Sequence, residues 1–499
     1  MKIESLVGDV TGWTADAVVV NLFEGVKLPG GATGAVDAAL GGVISQLIAD
    51  GEIKGMLGEV TIIHTLGKLP SPRVAVAGLG KAADFDLDRV RRVSADVGRA
   101  LKRIGVKRAA TIVHGAGIGG LEAAAATQAL VEGAILGQYS FRRHLSNPEQ
   151  SGLEELTVVE RDADKLSAIE LGISTGRIMA DAANFARDLI NEPSNFMTPT
   201  DLAAKAQEVA QDFGLTCEIF DRDELERLGM GGVLGVSCGS AQPPKLIVLR
   251  YMGTVTDRPA VGLVGKGVCF DSGGISIKPE QGMSNMRNDM AGGATVIATL
   301  RALAALKSPL SATAIVPAVE NMPSGCALKP GDVIRFMNGK TAEIHSTDAE
   351  GRLILADGLA YAVRQGLSPI VDIATLTGGI VTALGNSITG IFSKHQDLAD
   401  KISRAGTQAG EKMWQLPLYE EYNEAIKGDY ADLKNSGGRA ANSITAALFL
   451  SNFVEDVPWL HMDIAGTVRT DKDKGYLVKF ATGVAVRTLT NFVLALAKE

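Results

Sequence analysis

The sequence predicts an α/β protein of two domains. Three observations lead there: short β-rich runs alternate with helical stretches, the later apolar runs are continuous instead of alternating, and 499 residues exceed what one hydrophobic core usually supports. Composition agrees, because 46% apolar residues with 58 glycines and only 5% aromatics suit compact layers joined by many tight turns.

In the first third, the strand-like ADAVVVNLF, EVTIIHTLG, RVAVAGLG and RAATIVHGAG alternate with the helical patterns VRRVSADVGRALKRIG and LEAAAATQALVEGAILGQYSF. The pattern turns polar around SNPEQSGLEE and ERDADK, then becomes helical through GRIMADAANFARDLI. This sets a boundary near Leu166, with a smaller α/β domain over 1–165 and a larger one over 166–499. In the larger domain PKLIVLRY, PAVGLVGKGVCF, SATAIVPAVE, SPIVDIATLTG and VPWLHMDIAG read as strands of a mainly parallel central sheet covered on both faces. Polar residues gather where those runs end: Lys266 and Asp271, Glu320 and Asn321, Thr375 and Thr377, His461 and Asp463. Open α/β sheets bind ligands outside the carboxyl ends of their strands, so a site is expected there.

A formal charge of -8 gives no support for a generally phosphate-binding surface, and nucleic acid is not the expected partner. Cys217, Cys238, Cys269 and Cys326 lack C-x-x-C spacing and read as buried thiols of a reducing compartment. MKIESLVGDV has no signal-type apolar run, and no stretch of about 18 apolar residues occurs, so a soluble, cytoplasmic protein without membrane partners is expected. GAGIGG fits G-x-G-x-x-G through Gly115, Gly117 and Gly120, which would suit a dinucleotide-dependent oxidoreductase. The acid at the right distance, Glu132, falls inside a helical run, and a tight turn is the better reading. Arg89, Arg91, Arg92, Arg99, Lys102, Arg103, Lys107 and Arg108 could face DNA, yet Asp88 and Asp96 dilute them and a solvated helix face is expected. His345 and His461 belong to no metal-spaced pair and read as hydrogen-bonded structural residues.

IHSTDAEGRLILADG carries Asp348, Glu350 and Arg352 at alternate positions before an apolar segment. Thr347-x-x-Glu350 matches a capping box, with Asp348 complementing the helix dipole. Against that, Gly351 is a poor helix former, and an extended segment would put the three charges on one side. A second segment, VGLVGKGVCFDSGGISIKPEQGMSNMRNDMAGGATV, supplies Lys266, Asp271, Lys278 and Asp289. Together the two loops offer four carboxylates and three cations. Two divalent metals would balance the carboxylates, and a site without His or Cys ligands favours oxygen-binding ions such as Mn²⁺, Mg²⁺ or Zn²⁺.

Here the sequence resembles the leucyl aminopeptidases, or cytosol aminopeptidases, a family of two-metal exopeptidases. VGKGVCFDSGGISIKP and STDAEGRL are similar to its signature segments, and NEPSNFMTP, NMPSGCALKPGDV, DIATLTGG, GGRAANSITAALFL and WLHMDIAG resemble further blocks in the family order. The likeness runs from about Asn184 to the C-terminus, and the first 165 residues resemble the family's macro-like N-terminal domain more loosely. The resemblance implies hydrolysis of the N-terminal peptide bond of peptides, with Lys266, Asp271, Asp289 and Glu350 on one metal and Asp271, Asp348 and Glu350 on the other. It further implies Mn²⁺ or Zn²⁺, with Mg²⁺ or Co²⁺ exchangeable, and a neutral Lys266 amine whose pKa the dications depress. Lys278 would polarise the carbonyl and Arg352 would hold a bicarbonate proton relay. An S1 pocket of Met286, Thr375, Gly378, Ala465 and Val468 would give broad, apolar-leaning specificity. The family's assembly implies a homohexamer, a dimer of trimers, and some relatives also act as DNA-binding regulators. Ser346 departs from the family's usual Asn, and Val468 stands where some relatives have Met.

Overall fold

The computed structural model describes residues 1–116, 119–147 and 152–499. Gly117 of the GAGIGG pattern and part of the polar segment at 148–151 lie outside the described residues. The chain forms two compact units, Met1–Asp181 with Asp471–Lys479, and Ala182–Thr470 with Phe480–Glu499. The division falls inside one helix, Leu166–Asn191, whose first residue is the boundary position expected from the sequence.

The first unit is built on a sheet of β1 (Lys2–Val7), β2 (Ala17–Leu22), β3 (Val60–His64), β4 (Arg73–Gly78), β5 (Arg108–Thr111) and β6 (Glu155–Glu160). Their spatial order is β1-β6-β5-β2-β4-β3, parallel throughout except for β3 against β4. The period-two alternation of a strand decides which helix each side chain meets. Ala17 and Val19 of β2 join the core formed with helices Leu87–Arg103 and Ala123–Leu136. Val18, Val20 and Leu22 face the opposite core, with Val36, Leu40 and Ile44 of helices Gly31–Leu40 and Val43–Ala49. Four cations of the basic helix are paired in place: Arg89 with Asp84, Arg91 with Glu132, Arg92 with Asp88 and Arg99 with Asp96. Glu132 is therefore engaged in a buried ion pair on the helix Ala123–Leu136, not at the end of a second strand.

The second unit is built on β7 (Thr216–Phe220), β8 (Lys245–Tyr251), β9 (Val261–Gly265), β10 (Gly267–Asp271), β11 (Ala312–Asn321), β14 (Ile370–Ala374), β15 (Thr389–Phe392), β16 (Met413–Gln415) and β18 (Trp459–Asp463). A small sheet of β12 (Val333–Arg335), β13 (Thr341–Glu343) and β17 (Leu433–Lys434), and the pair β19 (Arg469–Thr470) and β20 (Phe480–Ala481), complete it. The main order is β16-β15-β18-β14-β9-β11-β8-β7, with β10 also on β11. Its centre, β18-β14-β9-β11, is parallel, while β8, β7 and the β15–β18 contact are antiparallel. Strands β9 and β14 are buried at every residue, as expected of parallel strands covered on both faces by helices such as Ala291–Ala305 and Gly351–Arg364. β9, β10, β11, β14 and β18 all finish toward the same end of the sheet, and the candidate site is built there.

Among the described residues no single helix is long and apolar enough to cross a membrane. All four cysteines are free, but only Cys269 is buried, and Cys326 is exposed. The expectation of four buried thiols is corrected accordingly: Cys326 lies in the turn at 325–326, within an exposed stretch over 323–326.

Candidate active site

Lys266 follows β9 directly and is almost fully buried. Its Nζ donates to Asp289 Oδ1 at 2.8 Å, lies 2.7 Å from Glu350 Oε1 and donates to the Thr375 carbonyl at 3.1 Å. Asp289 Oδ2 is also 2.7 Å from the ammonium but out of hydrogen-bonding line, so it is a buried oxygen without a hydrogen-bond partner. Gly351 makes this approach possible. A Cβ there would stand 2.6 Å from Lys266 Cε and 2.7 Å from Nζ, which explains a glycine in the first turn of a helix.

Asp271 ends β10 and is held by the N–H of Gly273 at 2.9 Å and by Asn321 Nδ2 at 2.8 Å. Lys278 Nζ lies 2.7 Å from Asp271 Oδ2 and also pairs with Asp348. Its side chain keeps one fifth of its surface exposed, so this is the open side of the cluster. Carboxylate oxygens of Asp271, Asp348 and Glu350 lie within 4.8 Å of one another. Burial pushes the Asp271, Asp289 and Asp348 carboxyls up, and most strongly Asp289.

Thr347 corrects the capping expectation. Its Oγ1 donates to the Gly273 carbonyl at 2.6 Å and accepts from Ser276 N–H at 2.8 Å, and Glu350 at the start of the helix makes no side-chain cap. Thr347 thus staples the two signature loops to each other. Asn321 adds a second staple, donating to the Thr347 carbonyl at 3.0 Å. Nor is the segment extended: residues 347–348 form a turn and Arg352 already belongs to the helix. The turn, not strand alternation, brings Asp348 and Glu350 to one cluster.

Arg352 is buried, and its Nη1 donates to the Asn435 carbonyl at 2.8 Å while Nε has no partner. Burial lowers its pKa to about 10, which still leaves a cation at neutral pH. Asn435 was not singled out in the sequence, since it sits in an irregular stretch of no recognisable pattern. Its Oδ1 accepts the N–H of His345 at 2.8 Å and of Ser346 at 3.3 Å, and its Nδ2 donates to the Ser346 carbonyl at 2.6 Å. Ser346 Oγ in turn accepts the Asp348 N–H at 3.3 Å, so serine serves this loop by bonding its own backbone two residues on.

The remaining expected residues are distributed around this centre. Thr375 Oγ1 donates to Asp289 Oδ1 at 2.7 Å. Asp463 joins the turns after β14 and β18, accepting from the N–H of Leu376 at 3.1 Å and of Ala465 at 3.2 Å and from Thr377 Oγ1 at 2.6 Å. Gly378 opens the helix Gly378–Leu384 beside them. Met286 lies on the 3-10 segment Met283–Met290 that delivers Asp289, and Val468 is buried beyond β18. His345 bonds Glu343 at 3.1 Å and the buried His461 bonds Asp372 at 2.6 Å.

The donor set fits divalent cations. Four carboxylates, three of them buried, against two ammonium groups leave a formal -2 in the cluster, an arrangement that is costly without further positive charge. Among the protein's own groups, burial would lower the Lys266 pKa, but Asp289, Glu350 and Asp271 raise it above the ordinary lysine value. Only dications competing for the same carboxylates would free the amine as a ligand.

An α/β unit with an oxygen-rich, dication-fitting cluster at its strand ends has the layout of a metal-dependent enzyme. Residues 184–490 match the catalytic domain of the cytosol aminopeptidase family and residues 19–148 its N-terminal domain, and the chain belongs to that family. A probable cytosol aminopeptidase of Solibacter usitatus is 46% identical over 481 residues, covering 96% of each chain. Among solved structures, a mutant of tomato leucine aminopeptidase superposes with a TM-score of 0.88 at 32% identity, covering 99% of this chain and 96% of that one. The bottromycin maturation enzyme BotP in complex with Mn superposes with a TM-score of 0.85 at 34% identity, covering 97% and 100%.

Proposed function

We propose that this peptidase removes N-terminal residues from peptides at a site in which Lys266, Asp271, Asp289 and Glu350 hold one divalent ion and Asp271, Asp348 and Glu350 a second. The observation that carries this is the cluster of buried Asp271, Asp289 and Glu350 with the exposed Asp348, in which Asp289 Oδ2 has no hydrogen-bond partner. Ions of the Mn²⁺ or Zn²⁺ type, with Mg²⁺ or Co²⁺ exchangeable, would supply Lewis acidity and lower the pKa of water. Lys278, on the open side, presents a charged donor to the scissile carbonyl oxygen and favours the negative charge that oxygen gains. Buried Arg352, with its Nε lacking a partner, suits a small planar anion; a bicarbonate there would supply a proton acceptor.

Thr375, Gly378, Ala465, Met286 and Val468 form the pocket for the first side chain, and their mostly apolar character favours aliphatic residues without strong discrimination. The working division is an N-terminal domain over 1–165 and a catalytic domain over 166–499, in a cytoplasmic homohexamer arranged as a dimer of trimers.

The test is hydrolysis of leucine p-nitroanilide before and after chelation. Activity should vanish on stripping and return with Mn²⁺, and Lys278→Gln should lower kcat by about 100-fold with metal content unchanged. Full activity after exhaustive chelation would refute the reading.

A further inference from the structure

Cys238 and Cys326 are far apart in the sequence and are brought together by the fold. Cys238 ends the helix Gly231–Ser237 and is half-buried, and its thiol donates to the Gly235 carbonyl at 2.9 Å. Cys326 lies in the exposed turn that follows β11, where its N–H donates to Ser324 Oγ at 3.1 Å. The backbones that carry them pack against each other. A Cβ on Gly239, next to Cys238, would stand 2.0 Å from the Met322 carbonyl oxygen and 3.1 Å from Cβ of Ala327, next to Cys326. Only glycine permits so close an approach. Backbone contact of this kind is what a disulfide requires, because its Cα atoms stand about 4.4–6.8 Å apart. The electrostatics show the same proximity. Burial raises the Cys238 thiol above its ordinary value, the Leu328 N–H opposes that shift, and Cys326 is near enough for charge on its sulfur to add to it.

The two thiols differ in a way that orders their chemistry. Exposure lets Cys326 meet a reagent from solvent, whereas Cys238 is partly covered and burial keeps it in the thiol form. Neither belongs to the carboxylate cluster, and peptide hydrolysis uses neither.

We infer that Cys326 and Cys238 form a redox-active dithiol, a modification site for small-molecule disulfides that locks the turn after β11 to the end of the helix Gly231–Ser237. The Cys326 thiolate attacks one sulfur of a disulfide RSSR, the S–S bond breaks, and the departing RS⁻ takes up the proton that Cys326 gave. Cys238 then surrenders its proton and attacks the Cys326 sulfur of the mixed disulfide, expelling the second RS⁻, which is protonated in turn. The two protein thiols are oxidised, the small disulfide is reduced to two thiols, and no other reactant is needed. In a reducing compartment such a bond is transient and senses redox state.

The lock joins elements that lie beside the carboxylate loops without entering them. β11 ends in Asn321, which donates to Asp271 Oδ1, and the helix Gly231–Ser237 gives its Val233 N–H to Asp357 at 3.0 Å, on the helix that Glu350 precedes. Because these elements already touch, the bond cross-links them without displacing the site. It also closes a long loop, the case in which a cross-link restricts the unfolded chain most.

The test treats the reduced, Mn²⁺-loaded, full-length chain with 2-hydroxyethyl disulfide and follows intact mass and peptides mapped without reduction. Wild type should lose two hydrogens and yield a Cys238–Cys326 linked peptide, and dithiothreitol should reverse both. Cys238→Ser should stop at one hydroxyethylthio group on Cys326, and Cys326→Ser, an exposed change that does not threaten folding, should modify Cys238 at least tenfold more slowly. The oxidised wild type should unfold at a higher urea concentration than the reduced form and hydrolyse leucine p-nitroanilide within twofold of it. Absence of the linked peptide overturns the site, as does a bond through Cys217, Cys269 or a second chain. Failure of Cys238→Ser to take the group on Cys326 overturns the order of attack, and equal urea midpoints overturn the lock.

Discussion

The Oδ1 of Asn435 accepts the backbone N–H of His345 at 2.8 Å, so one buried side chain, 90 positions downstream, holds the entry to the carboxylate loop. The same residue's carbonyl takes the Arg352 guanidinium, and its amide takes the Ser346 carbonyl. Replacing it should uncouple loop and arginine together. Asn435→Ala leaves buried N–H and C=O groups unpaired at about 1–3 kcal/mol each, so a marked loss of denaturant stability is expected along with a fall in kcat/KM. An unchanged kcat/KM in a destabilised protein would mean that Asn435 supports the fold and not the site.

Gly351→Ala sets two effects against each other. Alanine improves the helix by about 1 kcal/mol, but its Cβ would stand 2.6 Å from Cε of Lys266, whose ammonium is pinned by two carboxylates. The clash should prevail locally, lowering bound metal and activity while the melting temperature changes little. A variant that melts higher and retains its metal would show that Lys266 can step aside.

The Glu343 carboxylate should make stability fall in acid. Burial alone would raise its pKa, yet the N–H groups of Tyr430, Ala431 and Asp429 and the His345 ring hold it down to about 2. A depressed carboxyl contributes stability that is present above its unfolded value of 4.5 and is lost as pH falls towards about 2. Denaturant midpoints of wild type and Glu343→Gln, compared from pH 6 to pH 2, should converge through that window. Parallel profiles would remove Glu343 from the explanation.

Arg91 and Glu132 form the buried ion pair that ties the basic helix to its neighbour, with Gln128 also donating to Glu132 at 2.7 Å. Glu132→Ala leaves a buried guanidinium without its counter-charge, and a loss of about 3–5 kcal/mol is expected in chemical denaturation. The double change Arg91→Met with Glu132→Leu should recover much of it. If the single variant costs under about 1 kcal/mol, the pair is behaving as a solvated one.

Much of the fold is legible in the sequence because burial leaves a mark on composition. The strands β9, β14 and β18 are buried at every residue; β9 appears as an unbroken apolar run, and β14 and β18 as apolar runs that carry only Asp372, His461 and Asp463 as polar members. β1 and β6 are harder to read. KIESLV has polar residues at three of its six positions, Lys2, Glu4 and Ser5, and ELTVVE is embedded between polar segments, so neither stands out from its surroundings. The site's charged residues are conspicuous because Lys266, Asp271 and Glu350 are buried charges in apolar or Gly-rich contexts. What holds them is less visible. Thr347 matches a helix-cap pattern but bonds Gly273, and Asn435 matches no pattern, because both act through contacts across long stretches of chain that local periodicity does not encode.

The short segment Asp471–Lys479 belongs to the first unit, where Tyr476 donates to Asp88 at 2.8 Å and Arg99 donates to the Gly475 carbonyl. A ribosome delivers residues 1–181 long before it delivers this piece. The amino-terminal body must therefore wait for nearly the whole polypeptide to be synthesised before its last packing partner arrives. Severing the chain between Asp181 and Ala182 would leave the first body with a gap and the second with a foreign strip.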